Sequence, residues 1–137
     1  MIRVFVLILG AILLPGCASH TGQQCQDNFK TSGSLFSGKS FSTTADLPMI
    51  PAPAAFDRAY KALMREGYRI ESSDAQRGAI SAYQNVNFSS KTAPLNLLVE
   101  PLDQGSRLTF VFVASAGLYT PEAGARDYFC ELVAQVR

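Results

Sequence analysis

Histidine and tryptophan are nearly absent from this chain. Its 137 residues include one histidine and no tryptophan. The single histidine, His20, argues against catalytic triads and most acid–base schemes, because imidazole is their usual proton carrier. The sequence also lacks a Gly-x-Ser-x-Gly segment, a glycine-rich phosphate loop and a cluster of metal ligands. We therefore predict that the protein is not an enzyme and holds no metal or cofactor.

No excess of charge of either sign is present. The chain has 12 basic and 11 acidic side chains. This balance gives no electrostatic reason to bind nucleic acid or an anionic surface. Two close carboxylate pairs, Glu71 with Asp74 and Glu100 with Asp103, flank predicted turns, where acidic residues are common. Neither pair therefore indicates a catalytic site.

A signal segment opens the chain. Arg3 precedes an apolar run over residues 4–14, which leads into the sequence Leu-Pro-Gly-Cys at 14–17. A basic start, a short apolar stretch and small residues before the cleavage point are typical of secretion signals. Residues 14–17 resemble the lipobox of bacterial lipoproteins. This resemblance implies cleavage before Cys17 by signal peptidase II, and attachment of acyl chains such as palmitate to the sulfur and the new amine of Cys17.

Two other interpretations of the signal segment stay open. An ordinary secretion signal would be cut after a small residue such as Ser19. An uncleaved anchor would need about 20 apolar residues, whereas this run has about 11. A lipoprotein cysteine with two or more acyl chains anchors stably. The lipoprotein resemblance also implies an outer-membrane protein that faces the periplasm, because Ala18 stands where inner-membrane lipoproteins often have aspartate.

Two cysteines remain once Cys17 is assigned to lipid. Cys25 and Cys130 form an even pair in an oxidising compartment, which favours a disulfide, with free thiols as the alternative. The segment 17–38 is rich in Ser, Gly and Gln, as is typical of a flexible tether. The predicted domains are therefore a signal peptide at 1–16, a lipid-anchored tether at 17–38 and one periplasmic domain at 39–137.

The first helix of the domain is its clearest element. It is predicted to begin at Pro53 and to end at Gly67, since proline suits helix starts and glycine suits helix ends. Its apolar stripe repeats at helical spacing and consists of Phe56, Tyr60, Leu63 and Met64. A strand at 39–44 is predicted before this helix. A closing helix is predicted to follow Thr120 as its N-cap.

Four strands are predicted between the two helices, at 68–71, 79–83, 95–100 and 107–114. The order β-α-β-β-β-β-α predicts an α+β fold, with an antiparallel sheet of about five strands and two helices packed on one face. This order is similar to that of the small sheet-and-helix domains of BamC-type envelope lipoproteins. The likeness covers the order of elements alone and transfers no site residues.

The strand at 107–114 is apolar on both faces. One side carries Leu108, Phe110 and Phe112, and the other carries Val111 and Val113. If both helices cover the first side, the second exposes an apolar patch, which commonly marks a partner surface. Alternatively, residues 35–36, the proline-rich segment 47–53 or a long loop covers it. Leu98 interrupts the polar face of the preceding strand in the same way. With it and two loop aromatics added, the predicted contact surface consists of Leu98, Val111, Val113, Phe88 and Tyr119.

These features predict a lipid-anchored, non-enzymatic protein of the cell envelope. Its leading function is to bind another envelope component, a protein or otherwise, through the sheet face or the loops. One alternative is a carrier of a small apolar ligand, held between sheet and helix by Phe110, Phe112 and Tyr60. Another is an inhibitor or immunity lipoprotein that blocks a cell-wall hydrolase through a protruding loop at 84–94.

Overall fold

The computed structural model describes residues 20–85 and 92–137. These residues form six strands and three helices. In chain order the elements are α1 (His20–Asp27), β1 (Lys30–Ser34), β2 (Gly38–Leu47), α2 (Ala52–Arg65), β3 (Arg69–Asp74), β4 (Ala79–Asn85), β5 (Thr92–Leu102), β6 (Gly105–Ala114) and α3 (Glu122–Val136). The strands lie in the order β1-β2-β6-β5-β4-β3, and neighbouring strands are antiparallel.

One face of the sheet is apolar because buried and accessible residues alternate along its central strands. In β2, every second residue from Phe41 to Leu47 is buried, including Thr43 and Ala45. The residues between them are partly exposed. Leu108 of β6 lies opposite Ala45 in the register, and it is also buried. Successive side chains of a strand point to opposite faces, so alternate positions join one core. α2 and α3 contact these strands and each other.

The helix α2 packs through small side chains. Its buried residues are Ala55, Ala59, Ala62 and Leu63. The predicted stripe is therefore only partly the buried one: Phe56 and Tyr60 are half-buried and Met64 is exposed. After α2, Gly67 adopts a positive φ of 80°, and the Tyr68 N–H donates to the Leu63 carbonyl at 3.0 Å. This is the C-terminal glycine predicted for the helix.

Phe129 of α3 connects the helices to the sheet. Its ring lies 6.0–6.3 Å, centroid to centroid, from four other aromatic rings, those of Phe29, Phe110, Phe112 and Tyr128. Such distances are typical of offset and edge-to-face aromatic pairs. Buried apolar residues of the described chain run from Cys25 to Val136. A chain that begins at residue 18 therefore contains this whole core.

The predicted fold class is confirmed, with corrections to the number of elements. The fold is α+β, and its antiparallel sheet has helices on one face. The described residues contain six strands rather than about five, and three helices rather than two. The additional elements are α1 and β1.

The prediction of a flexible tether reaching residue 38 is wrong for residues 20–38, which contain α1 and β1. β1 pairs with β2 only as far as Ser42, and α1 covers the edge of β2 beyond that point. The Gln24 side-chain oxygen accepts from the Asp46 N–H at 2.8 Å, and the Asn28 amide donates to the Thr44 carbonyl at 3.2 Å. These long-range bonds satisfy an edge that would otherwise be open.

Two element ends also differ from prediction. α3 is capped by Pro121, whose backbone is extended and offers no side-chain hydrogen bond, rather than by Thr120. β5 continues through Pro94 and Pro101, although proline usually marks the end of a strand. Within residues 20–85 and 92–137, no helix is long and apolar enough to cross a membrane.

Candidate ligand-binding cleft

A cleft of about 360 Å³ lies where α3 begins beside the sheet. Its aromatic wall consists of Tyr68, Phe112, Tyr128 and Phe129. The start of α3 supplies a second side through Thr120, Pro121, Gly124 and Ala125. Glu66 and Gln84 also line the cleft, beside the Tyr128 hydroxyl, and this part of the lining is the polar end. The volume lies near the lower end of the range for small-molecule sites, about 300–1,000 Å³.

The cleft is open because the first turns of α3 carry little side-chain volume. A Cβ atom added to Gly124 would meet only the Pro121 Cβ, at 4.0 Å. Ala125, the next residue, is buried but contributes one methyl group. On the side of α3 that lines the cleft, the next residues are Tyr128 and Phe129, one turn further along the helix. The space between these two levels remains unfilled.

The Tyr128 hydroxyl is the most informative atom of the cleft. It is buried and has no hydrogen-bond partner within the described part of the chain. Burial raises the pKa of the Tyr128 phenol, whereas the neighbouring hydroxyl of Tyr68 and amide of Gln84 lower it in part, and the negative charge of Glu66 raises it further. Burial likewise raises the pKa of Tyr68. Because a phenol ordinarily titrates near 10, both hydroxyls stay protonated at neutral pH and can donate hydrogen bonds.

Glu66 is held at the polar end by neighbours from two other elements. The Gln135 side-chain amide of α3 donates to the Glu66 carboxylate at 2.7 Å. The Gln84 amide of β4 donates to the Glu66 main-chain carbonyl at 2.9 Å. These bonds orient Glu66, and they occupy one oxygen of its carboxylate. The cleft therefore combines an aromatic wall, phenol donors and one fixed negative charge.

The residues predicted for an apolar carrier only partly meet at this site. Phe112 lines the cleft, whereas Phe110 is buried in the core and Tyr60 lies on α2 outside the lining. Sequence reasoning missed Tyr68 and Tyr128. The available signals were weak: Tyr68 directly follows the glycine that ends α2, and Tyr128 precedes the buried Phe129.

The outer face of the sheet carries the predicted contact residues Leu98, Val111 and Val113. Leu98 and Val113 are 37% and 39% exposed, and Val111 is half-buried. Val111 lies opposite Asn96 and Ser42, and Leu98 lies opposite Thr109. These polar neighbours divide the apolar patch. Residues 35–36 do not cover it closely, since Phe36 is 91% exposed.

The predicted loop contacts have different outcomes. Tyr119 is 81% exposed between β6 and α3. Phe88 lies outside the described residues. The predicted inhibitory loop at 84–94 is shorter than expected, because residues 84–85 belong to β4 and residues 92–94 to β5. The remaining part, 86–91, also lies outside the described residues.

The predicted disulfide is present and joins α1 to α3. The sulfur atoms of Cys25 and Cys130 are 2.06 Å apart. The Cys25 carbonyl also accepts a hydrogen bond from the buried Thr43 hydroxyl of β2. This arrangement attaches α1 to both layers of the fold. Cys17, the predicted lipid site, lies outside the described residues.

A second depression, of about 480 Å³, lies beside α1. Its side chains include Gln24, Asn28 and Asp46, which already form hydrogen bonds within the protein. Arg107 donates to Asp46 at 2.6 Å, and this bond lowers the pKa of the Asp46 carboxyl. Polar groups that are paired in this way offer less to a ligand than the Tyr128 hydroxyl does. In the described residues, no group of three or more His, Cys, Asp or Glu side chains could hold a metal.

Comparisons with known proteins add a likeness of fold. No protein-family model and no curated protein matches the chain. The structure is similar to that of Ara h 8.0201, with a TM-score of 0.50 and 11% identity over 71% of this chain and 91% of the other. It is also similar to a conserved protein of unknown function, EF2215, from Enterococcus faecalis, with a TM-score of 0.52 and 9% identity over 86% and 81% of the two chains. Identities this low support similarity of fold alone.

Proposed function

We propose that this protein is a lipid-anchored binding protein of the bacterial envelope, and that its cleft holds a small, mainly apolar molecule. The buried, unpaired hydroxyl of Tyr128 carries this proposal. A buried polar group without a partner costs about 1–3 kcal/mol, so such groups are rare and call for a functional role or a bound water or ion to explain them. Aromatic walls with a few polar groups are typical of small-molecule sites.

The envelope location rests on the lipobox resemblance of residues 14–17 and is supported by the Cys25–Cys130 bond, because disulfides persist in oxidising compartments. We propose acylation of Cys17 and an outer-membrane anchor facing the periplasm. Cys17 precedes α1 by three residues, which span at most about 10 Å. The domain would therefore lie close to the membrane surface.

Binding of another envelope component through the outer sheet face is the second candidate. The exposure of Leu98 and Val113 favours it. Polar residues divide that patch, however, and every polar group on an exposed face can be satisfied by water. The cleft contains a buried, unpaired donor, whereas the described residues of the outer sheet face have none, so ligand binding in the cleft is the leading proposal. Both candidates describe binding rather than catalysis.

Filling the cleft is expected to weaken ligand binding at least about tenfold. In Gly124→Leu, the added side chain would occupy the space beside Pro121 and Tyr128, while the helix gains about 1 kcal/mol in propensity. N-phenyl-1-naphthylamine, an apolar fluorophore, serves as the reporter. The protein is the chain from residue 18, which lacks Cys17 and therefore carries no acyl chains that could bind the reporter. We expect at least about tenfold weaker reporter binding, or about 1.4 kcal/mol.

Ala123→Leu is the matched control, because Ala123 is exposed on the same helix turn and does not line the cleft. It should bind the reporter as the wild type does. Equal binding by all three proteins, or no binding by any of them, would contradict the assignment of the cleft as the site.

Mass spectrometry of the membrane-extracted protein tests the anchor. We expect a chain that starts at Cys17 with added acyl mass, because the lipobox resemblance directs cleavage and acylation to that residue. A Cys17→Ser variant should lack the acyl mass. An unacylated wild-type chain that starts near His20 would show an ordinary secretion signal and would remove the anchor from the proposal.

A further inference from the structure

The polar end of the cleft contains donors and a negative charge. The Tyr128 hydroxyl is buried and unpaired. The Tyr68 phenol and the Glu66 side chain line the same space. Glu66 is fixed there by the amide of Gln135, 2.7 Å from its carboxylate oxygen. A ligand that enters this end would meet the unpaired O–H donor of Tyr128. Beside it lies the Glu66 carboxylate, which Gln135 holds in place.

These groups act differently on neutral, anionic and cationic ligands. A carbonyl oxygen accepts a hydrogen bond from Tyr128 and brings no charge near Glu66. A carboxylate or sulfonate also accepts, but it places a like charge beside Glu66 in a partly desolvated site, which is unfavourable. An ammonium group is attracted by Glu66, yet it has no acceptor for the Tyr128 proton and leaves that hydroxyl unpaired.

We propose that the cleft selects neutral, mainly apolar molecules that carry a carbonyl-type acceptor, such as ketones, aldehydes or esters. Tyr128 donates the selective hydrogen bond, and Glu66 excludes anions. Specificity then comes from an attractive contact combined with a repulsive one. This inference rests on the proposed function, since it names the ligand class of the same cleft.

Competition against N-phenyl-1-naphthylamine tests the ligand class. The competitors are 2-octanone, octanoate and octylammonium, which share similar apolar chains and differ in their polar ends. The protein is the chain from residue 18, which contains the whole described core. We expect 2-octanone to bind at least about tenfold more tightly than octanoate, because like charges at close range cost this much or more. Octylammonium should also bind more weakly than the ketone.

Two variants separate the roles of the polar groups. Tyr128→Phe should weaken 2-octanone about three- to tenfold more than it weakens the reporter, because the ketone alone loses a hydrogen bond. Its unfolding midpoint should equal or exceed that of the wild type, because the variant removes an unpaired buried hydroxyl. Glu66→Gln keeps the shape of the side chain and should improve octanoate binding at least about fivefold. Glu71→Gln, an exposed change on β3, should alter neither the affinity for 2-octanone nor the affinity for octanoate.

The outcomes distinguish this inference from the proposed function. Reporter binding together with equal or tighter binding of octanoate or octylammonium would overturn the ligand class. A ketone affinity that falls no further than the reporter affinity in Tyr128→Phe would overturn the role of the hydroxyl. Failure of both the reporter and 2-octanone to bind would refute the cleft as a binding site, and the inference with it.

Discussion

Replacing Cys25 and Cys130 with alanine is expected to lower the free energy of unfolding by about 3 kcal/mol. The disulfide joins residues 105 positions apart, so it restrains nearly the whole unfolded chain. Chain-entropy arguments give about 4–5 kcal/mol for such a loop, and measured values are usually smaller. The change also releases α1, whose contacts protect the edge of β2. Urea denaturation of the chain from residue 18 would measure the loss.

Reduction of the wild-type protein provides the control for this change, because it breaks the bond while keeping both sulfur atoms. It should lower the free energy of unfolding by a similar amount. The dependence of that free energy on urea concentration should become steeper in both cases, since an unlinked chain exposes more surface when it unfolds. A loss below about 1 kcal/mol would show that the unfolded chain is restrained by other means.

Phe129→Ala is expected to cost about 3–5 kcal/mol of stability. Phe129 is 1% exposed, and its ring contacts aromatic rings from β6, from α3 and from the segment between α1 and β1. Its removal would leave a cavity at the point where the helices meet the sheet. The neighbouring rings could fill that cavity only in part. The free energy of unfolding in urea is again the measured quantity.

The matched control is Phe36→Ala, which removes the same atoms from a ring that is 91% exposed in the turn between β1 and β2. Surface changes of this kind usually alter stability by less than about 0.5 kcal/mol. The difference between the two variants isolates the contribution of burial. Equal losses in both would mean that the ring cluster around Phe129 does not organise the core.

Some of the fold could be predicted because its signals are local. The strand at 107–114 alternates between core and outer face: Leu108 and Phe110 are buried, whereas Thr109 and Val111 are partly exposed. Gly67 follows the end of α2, where a left-handed backbone suits glycine, and its φ is positive as predicted. The Cys25–Cys130 bond followed from cysteine number and compartment. Each of these inferences needs only nearby residues or a count.

α1 and β1 could not be predicted for the opposite reason. Their sequence is rich in Ser, Gly and Gln, and it lacks a clear apolar period. α1 is stabilised by partners that lie far along the chain: Cys130 through the disulfide, and Asp46 through its hydrogen bonds with Gln24. β1 depends on the edge of β2. A local pattern carries no record of such contacts.

The cleft depended entirely on tertiary structure. Glu66 follows α2, Gln84 lies on β4 and Tyr128 lies on α3, and no spacing in the sequence relates them. By itself the sequence determined the α+β class and the alternation that places one sheet face in the core, and it favoured the pairing of the two cysteines that the structure contains. The tertiary structure decided where small residues of α3 leave space, and which hydroxyl remains unpaired beside it. Periodicity reports how a segment buries one face, whereas a site arises where distant segments fail to fill the volume between them.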